Sequence, residues 1–156
     1  MESAIKFNHA YLPGRGKSCD IDMIENLLAE DAKCVSFMRG NDYTAIVQTK
    51  DEFVNMIKYH CEHLVYGNIT RNELEICDDG TIQGNVYSRQ KSRGAPYPNK
   101  HSSGIGTFIK NKYIPEDNYE TCDALIKSYQ IFQFDEEGKI IFLYHYCNPT
   151  ILDWKE

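Results

Sequence analysis

From Asp20 onward the apolar residues fall into patterns from which a backbone can be read. Ile21, Ile24, Leu27 and Leu28 recur at helical spacing, and Asp20 or Asp22 can cap that helix with its carboxylate. Over residues 33–38 the period drops to two. Cys34, Ser36 and Met38 fall on one side of a strand, Val35 and Phe37 on the other. The Gly40-Asn41-Asp42 turn separates it from a second strand over 43–48. Thr49-Lys50-Asp51-Glu52 then has the form of a capping box, in which hydroxyl and carboxylate each satisfy an orphan backbone N–H at a helix start. Behind it Phe53, Met56, Ile57, His60 and Cys61 share one helical face.

The later chain reads mostly as strand. Residues 74–77 and 81–90 make a hairpin across Asp78-Asp79-Gly80, and 124–134 and 139–147 make another across Asp135-Glu136-Glu137-Gly138. Residues 89–104 read as a loop, with two prolines and the basic side chains Arg89, Lys91, Arg93, Lys100 and His101. A second connection, 115–123, is acidic. Before Asp20, a short apolar helix through Ile5 and Phe7 has to end at Pro13-Gly14-Arg15-Gly16. Gly16-Lys17-Ser18 is similar to the end of a phosphate-binding loop, but Tyr11 stands where that motif has its first Gly; a solvated turn is the simpler reading. Helices early and long strands late indicate one α+β domain over residues 1–156. Its helices pack on one face of a mostly antiparallel sheet of four to six strands.

Composition narrows this further. With 156 residues, 42% of them hydrophobic and 26% charged, the chain is neither disordered nor a coiled coil. A net charge of -6 argues against a nucleic-acid partner. No apolar run approaches the length of a membrane span, about 18 residues. Aromatics weighted to Tyr suit a cavity that is apolar but carries hydroxyls. Among the six cysteines no pair forms C-x-x-C, and the start of the chain shows no apolar signal core. Six free thiols in a cytoplasmic protein are therefore expected; three disulfides in a secreted one are the alternative.

Three segments in order resemble the SnoaL-like and scytalone dehydratase-like branch of the nuclear transport factor 2-like superfamily. Cys19-Asp20-Ile21-Asp22 running into Leu27-Leu28-Ala29-Glu30-Asp31-Ala32 is similar to that branch's D-L-D … L-F-A-D-D-A. Glu62-His63-Leu64-Val65, leading to Asp78-Asp79-Gly80-Thr81, resembles its T-Q-H-L strand opening and G-D-T-A turn. Phe132-Gln133-Phe134-Asp135-Glu136-Glu137-Gly138-Lys139-Ile140 resembles F-x-F-D-x-D-G-K-I. The resemblance implies a cone with an interior pocket. The fold is shared by dehydratases, isomerases, aldol cyclases and epoxide hydrolases and by non-catalytic association modules.

It also implies site residues. His63 matches the general acid/base histidine of the dehydratases; a helix-end histidine bonded to backbone is the alternative. The carboxylate that orients this histidine falls near Lys17, and a second pocket histidine near Ser92, so the dehydratase dyad is not intact. Ser36 stands where isomerases hold their base, and Gln130 matches a polar oxyanion-binding group. On the last strand the family register points Ile141, Leu143, His145 and Cys147 inward, making His145 a substitute for a missing catalytic group. The expectation is one cavity holding His63, His145, Gln130 and Ser36, with Ile141, Leu143, Phe132, Phe134, Met56 and His60 around the substrate. In it a histidine moves a proton next to a carbonyl and Gln130 steadies the enolate oxygen. The resemblance implies no cofactor. No metal is expected either, since His60 and His63 lack a third ligand at recognisable spacing. A small hydrophobic oxygenated molecule is the expected partner. Phe142, Tyr144 and Tyr146, on the opposite face of the last strand, suggest a homodimer formed through the sheet.

Overall fold

A computed structural model describes residues 1–38, 46–93 and 121–155. Its elements are α1 (Glu2–Tyr11), α2 (Ile21–Leu27), β1 (Leu28–Met38), β2 (Ile46–Thr49), α3 (Lys50–His63), β3 (Leu64–Asn72), β4 (Glu75–Ile76), β5 (Ile82–Ser92), β6 (Thr121–Phe134) and β7 (Ile140–Lys155). Both predicted caps form. The Asp20 carboxylate accepts from Met23 N at 3.0 Å, and Thr49 Oγ1 accepts from Glu52 N at 3.3 Å. In the Asp135–Gly138 turn, Asp135 Oδ1 accepts from the backbone N–H groups of Glu137 and Lys139, which starts β7 in register.

Among the described residues the strands form one seven-stranded sheet, ordered β2-β1-β7-β6-β5-β3, with β4 paired to β5. All pairings are antiparallel except β1 with β7. This is the expected α+β class, with more strands than the four to six predicted. β3 is the strand that patterning does not reveal, because only Gly67 in it is buried and Asn68, Thr70, Arg71 and Asn72 are exposed.

Register arranges the inner face in rows that cross the sheet. One row runs Cys34, Leu143, Phe132, Ile82 and is apolar throughout, with no member more than 3% exposed. Phe7 of α1 lies over it, 5.8 Å from the Phe132 ring and 6.2 Å from Phe53 of α3. Ala4, Ile24 and Ile57 complete the seal from the three helices. Two residues further along each strand the row is Ser36, His145, Gln130, Gly84. Gly84 has φ of 151°, and a Cβ there would run into the Glu73 carbonyl oxygen, so this crossing of the sheet by backbone requires glycine.

Two expectations change. Residues 89–92 are strand, not loop: β5 runs to Ser92 with Arg89 exposed and Ser88, Gln90 and Ser92 buried. Arg89 pairs with Asp123 across the sheet at 2.8 Å. The rest of the basic loop, 94–104, lies outside the described residues, as do 115–120 and 39–45. The thiols are not all free, because Cys19 and Cys61 form a disulfide with Cα atoms 6.2 Å apart. The connection after α1 doubles back, with Asp20 N donating to Ala10 O, and this sets Cys19 against the last turn of α3. Cys34, Cys77 and Cys147 are free. On the outer face Phe142, Tyr144 and Tyr146 are half-buried, and Tyr146 stacks on Phe37 at 5.2 Å. No described helix is long and apolar enough to cross a membrane.

Candidate functional site

Beyond the apolar row the inner face turns polar. On β5 the inward residues after Ile82 are Val86, Ser88, Gln90 and Ser92, and on β6 they are Gln130, Ser128, Ile126 and Ala124, all buried. Helices α1 and α3 approach this surface without filling it. The cavity between them is lined by Asn8, Tyr11 and Leu12 from the α1 end, by Met56, Ile57 and His60 from α3, and by Ser36, His145, Gln130, Ser128, Ser88 and Gln90 from the sheet. Its free volume is about 40 Å³. That is room for a few waters. Among the described residues no Asp, Glu, Lys or Arg lines it.

Several wall atoms have no protein partner. Ser36 Oγ, His60 Nε2, His145 Nε2 and Gln90 Oε1 are sealed from solvent and unbonded, as is Ser92 Oγ just beyond. Ser36, His60, Gln90 and Ser92 are each at most 5% exposed. A buried polar atom left unpaired costs roughly 1–3 kcal/mol, so a concentration of them marks a surface arranged for something other than stability. His60 and His145 are both pushed from 6.5 down to about 4 by burial. For His60 the Gln90 side chain acts in the opposite direction, near enough to favour the charged ring although the two make no well-formed hydrogen bond. His63 and His145 add to the lowering. Both rings are therefore neutral at pH 7. The Cys147 thiol, beside Ser128, is pushed up to about 11 and stays protonated.

The expected residues separate into two groups. Ser36, Gln130, His145, Met56 and His60 are brought together at the cavity. His63 is not among its lining residues. It is the last residue of α3, and its Nδ1 donates to the Tyr59 carbonyl at 2.8 Å while the ring stacks on Tyr59. Phe132 and Leu143 are core rather than wall, and Phe134 and Ile141 pack against that core. The reason is position along the strand: these four lie at the row closed by Phe7, or nearer the Asp135–Gly138 turn. Gln130 reaches the cavity with its amide already engaged. It donates to Asn8 Oδ1 and accepts from Asn8 Nδ2, both at 2.8 Å.

Asn8, Tyr11, Ser88, Gln90 and Ser128 are wall residues that sequence reasoning passed over. For Ser88 and Gln90 a signal was present, since the period-two alternation from Ile82 continues through Val86, Ser88 and Gln90 to Ser92. Nothing in the sequence marks Asn8. Among the described residues no group of three or more His, Cys, Asp or Glu could hold a metal.

No family model matches this sequence, and no curated protein matches it. Solved structures do. A phenazine biosynthesis-related protein from Pseudomonas aeruginosa superposes with a TM-score of 0.63 at 15% identity, covering 94% of this chain and 74% of that one. A putative SnoaL-like polyketide cyclase from Shewanella denitrificans gives 0.62 at 8% identity, covering 94% and 88%. A ketosteroid isomerase-like protein from Erwinia carotovora atroseptica gives 0.57 at 12% identity, covering 95% and 91%. The chain has the nuclear transport factor 2-like cone, the fold these SnoaL-like and ketosteroid isomerase-like proteins share.

Proposed function

We propose that the chain takes a small, neutral, oxygenated and largely hydrophobic molecule into this cavity, whose few-water space widens as the α1 and α3 walls part to admit it. There it acts by cofactor-free acid/base chemistry, as a dehydratase, isomerase or cyclase. The observation that carries this reading is the pair of desolvated imidazoles, His145 and His60, each with an unpartnered Nε2 at one cavity that Ser36 also lines. A wall without charged side chains among the described residues favours a neutral ligand. Apolar stretches at Val86, Ile126, Met56 and Ile57 favour hydrocarbon, and the unbonded polar atoms favour oxygens along it.

In this mechanism the uncharged His145 imidazole takes a proton from the carbon next to a carbonyl. The imidazolium so formed is offset by the enolate it creates, which a dry site stabilises more than water would. Ser36, opposite His145 on the neighbouring strand, donates its hydroxyl hydrogen to the carbonyl oxygen. Gln130 is a positioning group here, because its amide is held by Asn8. The His145 imidazolium then passes that proton to the neutral His60 Nε2, and His60 delivers it to the leaving hydroxyl or to the next carbon, so that both rings end neutral.

The test is exchange of carbon-bound hydrogen with deuterated water, read by mass spectrometry over a panel of cyclic ketones and β-hydroxyketones. His145→Gln and His60→Gln should each lower the rate by about 10²–10³-fold while near-ultraviolet dichroism stays native. Wild-type rates in both variants overturn the mechanism. A second reading, a binding module without chemistry, is favoured by one observation: rings held near pKa 4 are weak bases. A ligand bound by the wild type and recovered with no deuterium would support that module.

A further inference from the structure

Away from the cavity, the Cys19–Cys61 bridge sits in a surface groove of about 450 Å³ lined by Gly16, Lys17, Ser18, Lys58, Glu62 and Tyr66 among others. That volume is within the range of small-ligand sites, about 300–1,000 Å³. Both cysteines line the groove and are only partly buried, so a small reagent has a path to the sulfurs. On an acidic chain, lysines outnumber acids in its lining. Lys17 and Lys58 line it, Arg15 stacks on Tyr66 at 4.4 Å, and Glu62 is the lining acid. Lys58 also pairs with Glu25 at 3.3 Å.

We propose that this groove is a thiol-exchange site, where a low-molecular-weight thiol bearing carboxylates opens the Cys19–Cys61 bridge and loosens one wall of the cavity. The incoming thiolate attacks one bridge sulfur. An S–S bond forms to the incoming sulfur as the Cys–Cys bond breaks, and the other cysteine leaves as a thiolate. A second molecule of the thiol attacks the mixed disulfide, so that the protein gains two thiols and the reagent leaves as its own disulfide. The coupling to the cavity is short. Cys61 follows His60 on α3, and the Tyr11 ring, from the other wall, packs 5.2 Å from His60. Cys19 precedes Asp20, whose N–H holds Ala10 O one residue before Tyr11. The bridge therefore ties the end of α1 to the end of α3, and both ends line the cavity.

The oxidised protein is incubated with reduced glutathione or with neutral 2-mercaptoethanol and followed by intact-mass and peptide spectra under native conditions. We expect a mixed disulfide at Cys19 or Cys61, then two free thiols. Lys17→Ala/Lys58→Ala should slow the glutathione reaction several-fold relative to 2-mercaptoethanol. Reduction should lower Tm by about 10 °C and raise amide hydrogen exchange in 8–20 and 56–64. A bridge that exchanges only in denaturant overturns the proposal, as does equal slowing of both reagents by the lysine variants. Unchanged hydrogen exchange on reduction overturns the link to the cavity. Cys19→Ser/Cys61→Ser should show the loosened exchange pattern without any thiol and take up no glutathione at residues 19 and 61.

Discussion

Two adjacent rows of the same four strands behave in opposite ways. At Cys34, Leu143, Phe132 and Ile82 the sheet meets Phe7 and Phe53 and closes into dry core. At Ser36, His145 and Gln130, one side-chain repeat further on, it meets Asn8, Met56 and His60 and leaves space. Ser36 and Gln130 are nearly as buried as the closed row, so burial alone does not distinguish core from site. The difference lies in what each polar atom finds: core side chains have none to satisfy, whereas the site leaves at least four unsatisfied.

Truncation in the closed row should show the contrast most strongly. Phe132→Ala removes a ring with no exposure at all and should destabilise by about 3–5 kcal/mol in urea unfolding. A loss under 1 kcal/mol would mean that this row is not the packed one. Acid should act on the open row instead. His60 and His145 titrate near 4 in the folded protein and at about 6.5 unfolded, so the unfolded chain binds more protons between those values. Stability should be full above pH 6.5, fall as pH drops toward 4, and level off below. The loss is on the order of 3 kcal/mol per ring. His145→Gln should flatten that slope by about half, measured by chemical denaturation from pH 7.5 to 4.

Smaller effects test the join between the rows. Asn8→Ala strands the Gln130 amide and should cost about 1–3 kcal/mol, part of which Asn8→Ala/Gln130→Leu recovers. Calorimetry on the single and double variants measures that coupling. Ser36→Ala should have the opposite sign: removing an unpartnered hydroxyl should leave Tm unchanged or raise it, worth less than about 1 kcal/mol. A marked loss of stability there would reveal a bonding partner for the hydroxyl.

Much of this was legible in the chain. The cap at Asp20, the capping box at Thr49 and the turn at Asp135 act through contacts a few residues apart, so the sequence displays them directly. Alternation combined with the register implied by the family resemblance put Ser36, Gln130 and His145 on the inner face, and the strand pairing makes them neighbours. His63 shows where resemblance stops. Its motif position is the expected one, but α3 runs to that residue and the ring folds back on the Tyr59 carbonyl. Residues 89–92 were obscured by composition, because outward Arg89 and Lys91 make a strand look like a basic loop. The Cys19–Cys61 bridge joins residues 42 apart through the return of the chain after α1, and no local spacing announces it.

The parallel pairing of β1 with β7 has a consequence for the order in which the molecule is made. Ser36 and His145 face each other across that ladder, yet they come from the first and last strands of the chain. Such a contact closes a very long loop and adds to the contact order that slows folding. During synthesis the helices and the first strand emerge with one side of β1 unpaired, and its partner arrives last. The Ser36–His145 side of the cavity therefore forms only after β7 has been made. Until β7 docks, the nascent chain presents an open strand edge for which a chaperone or a second copy can compete.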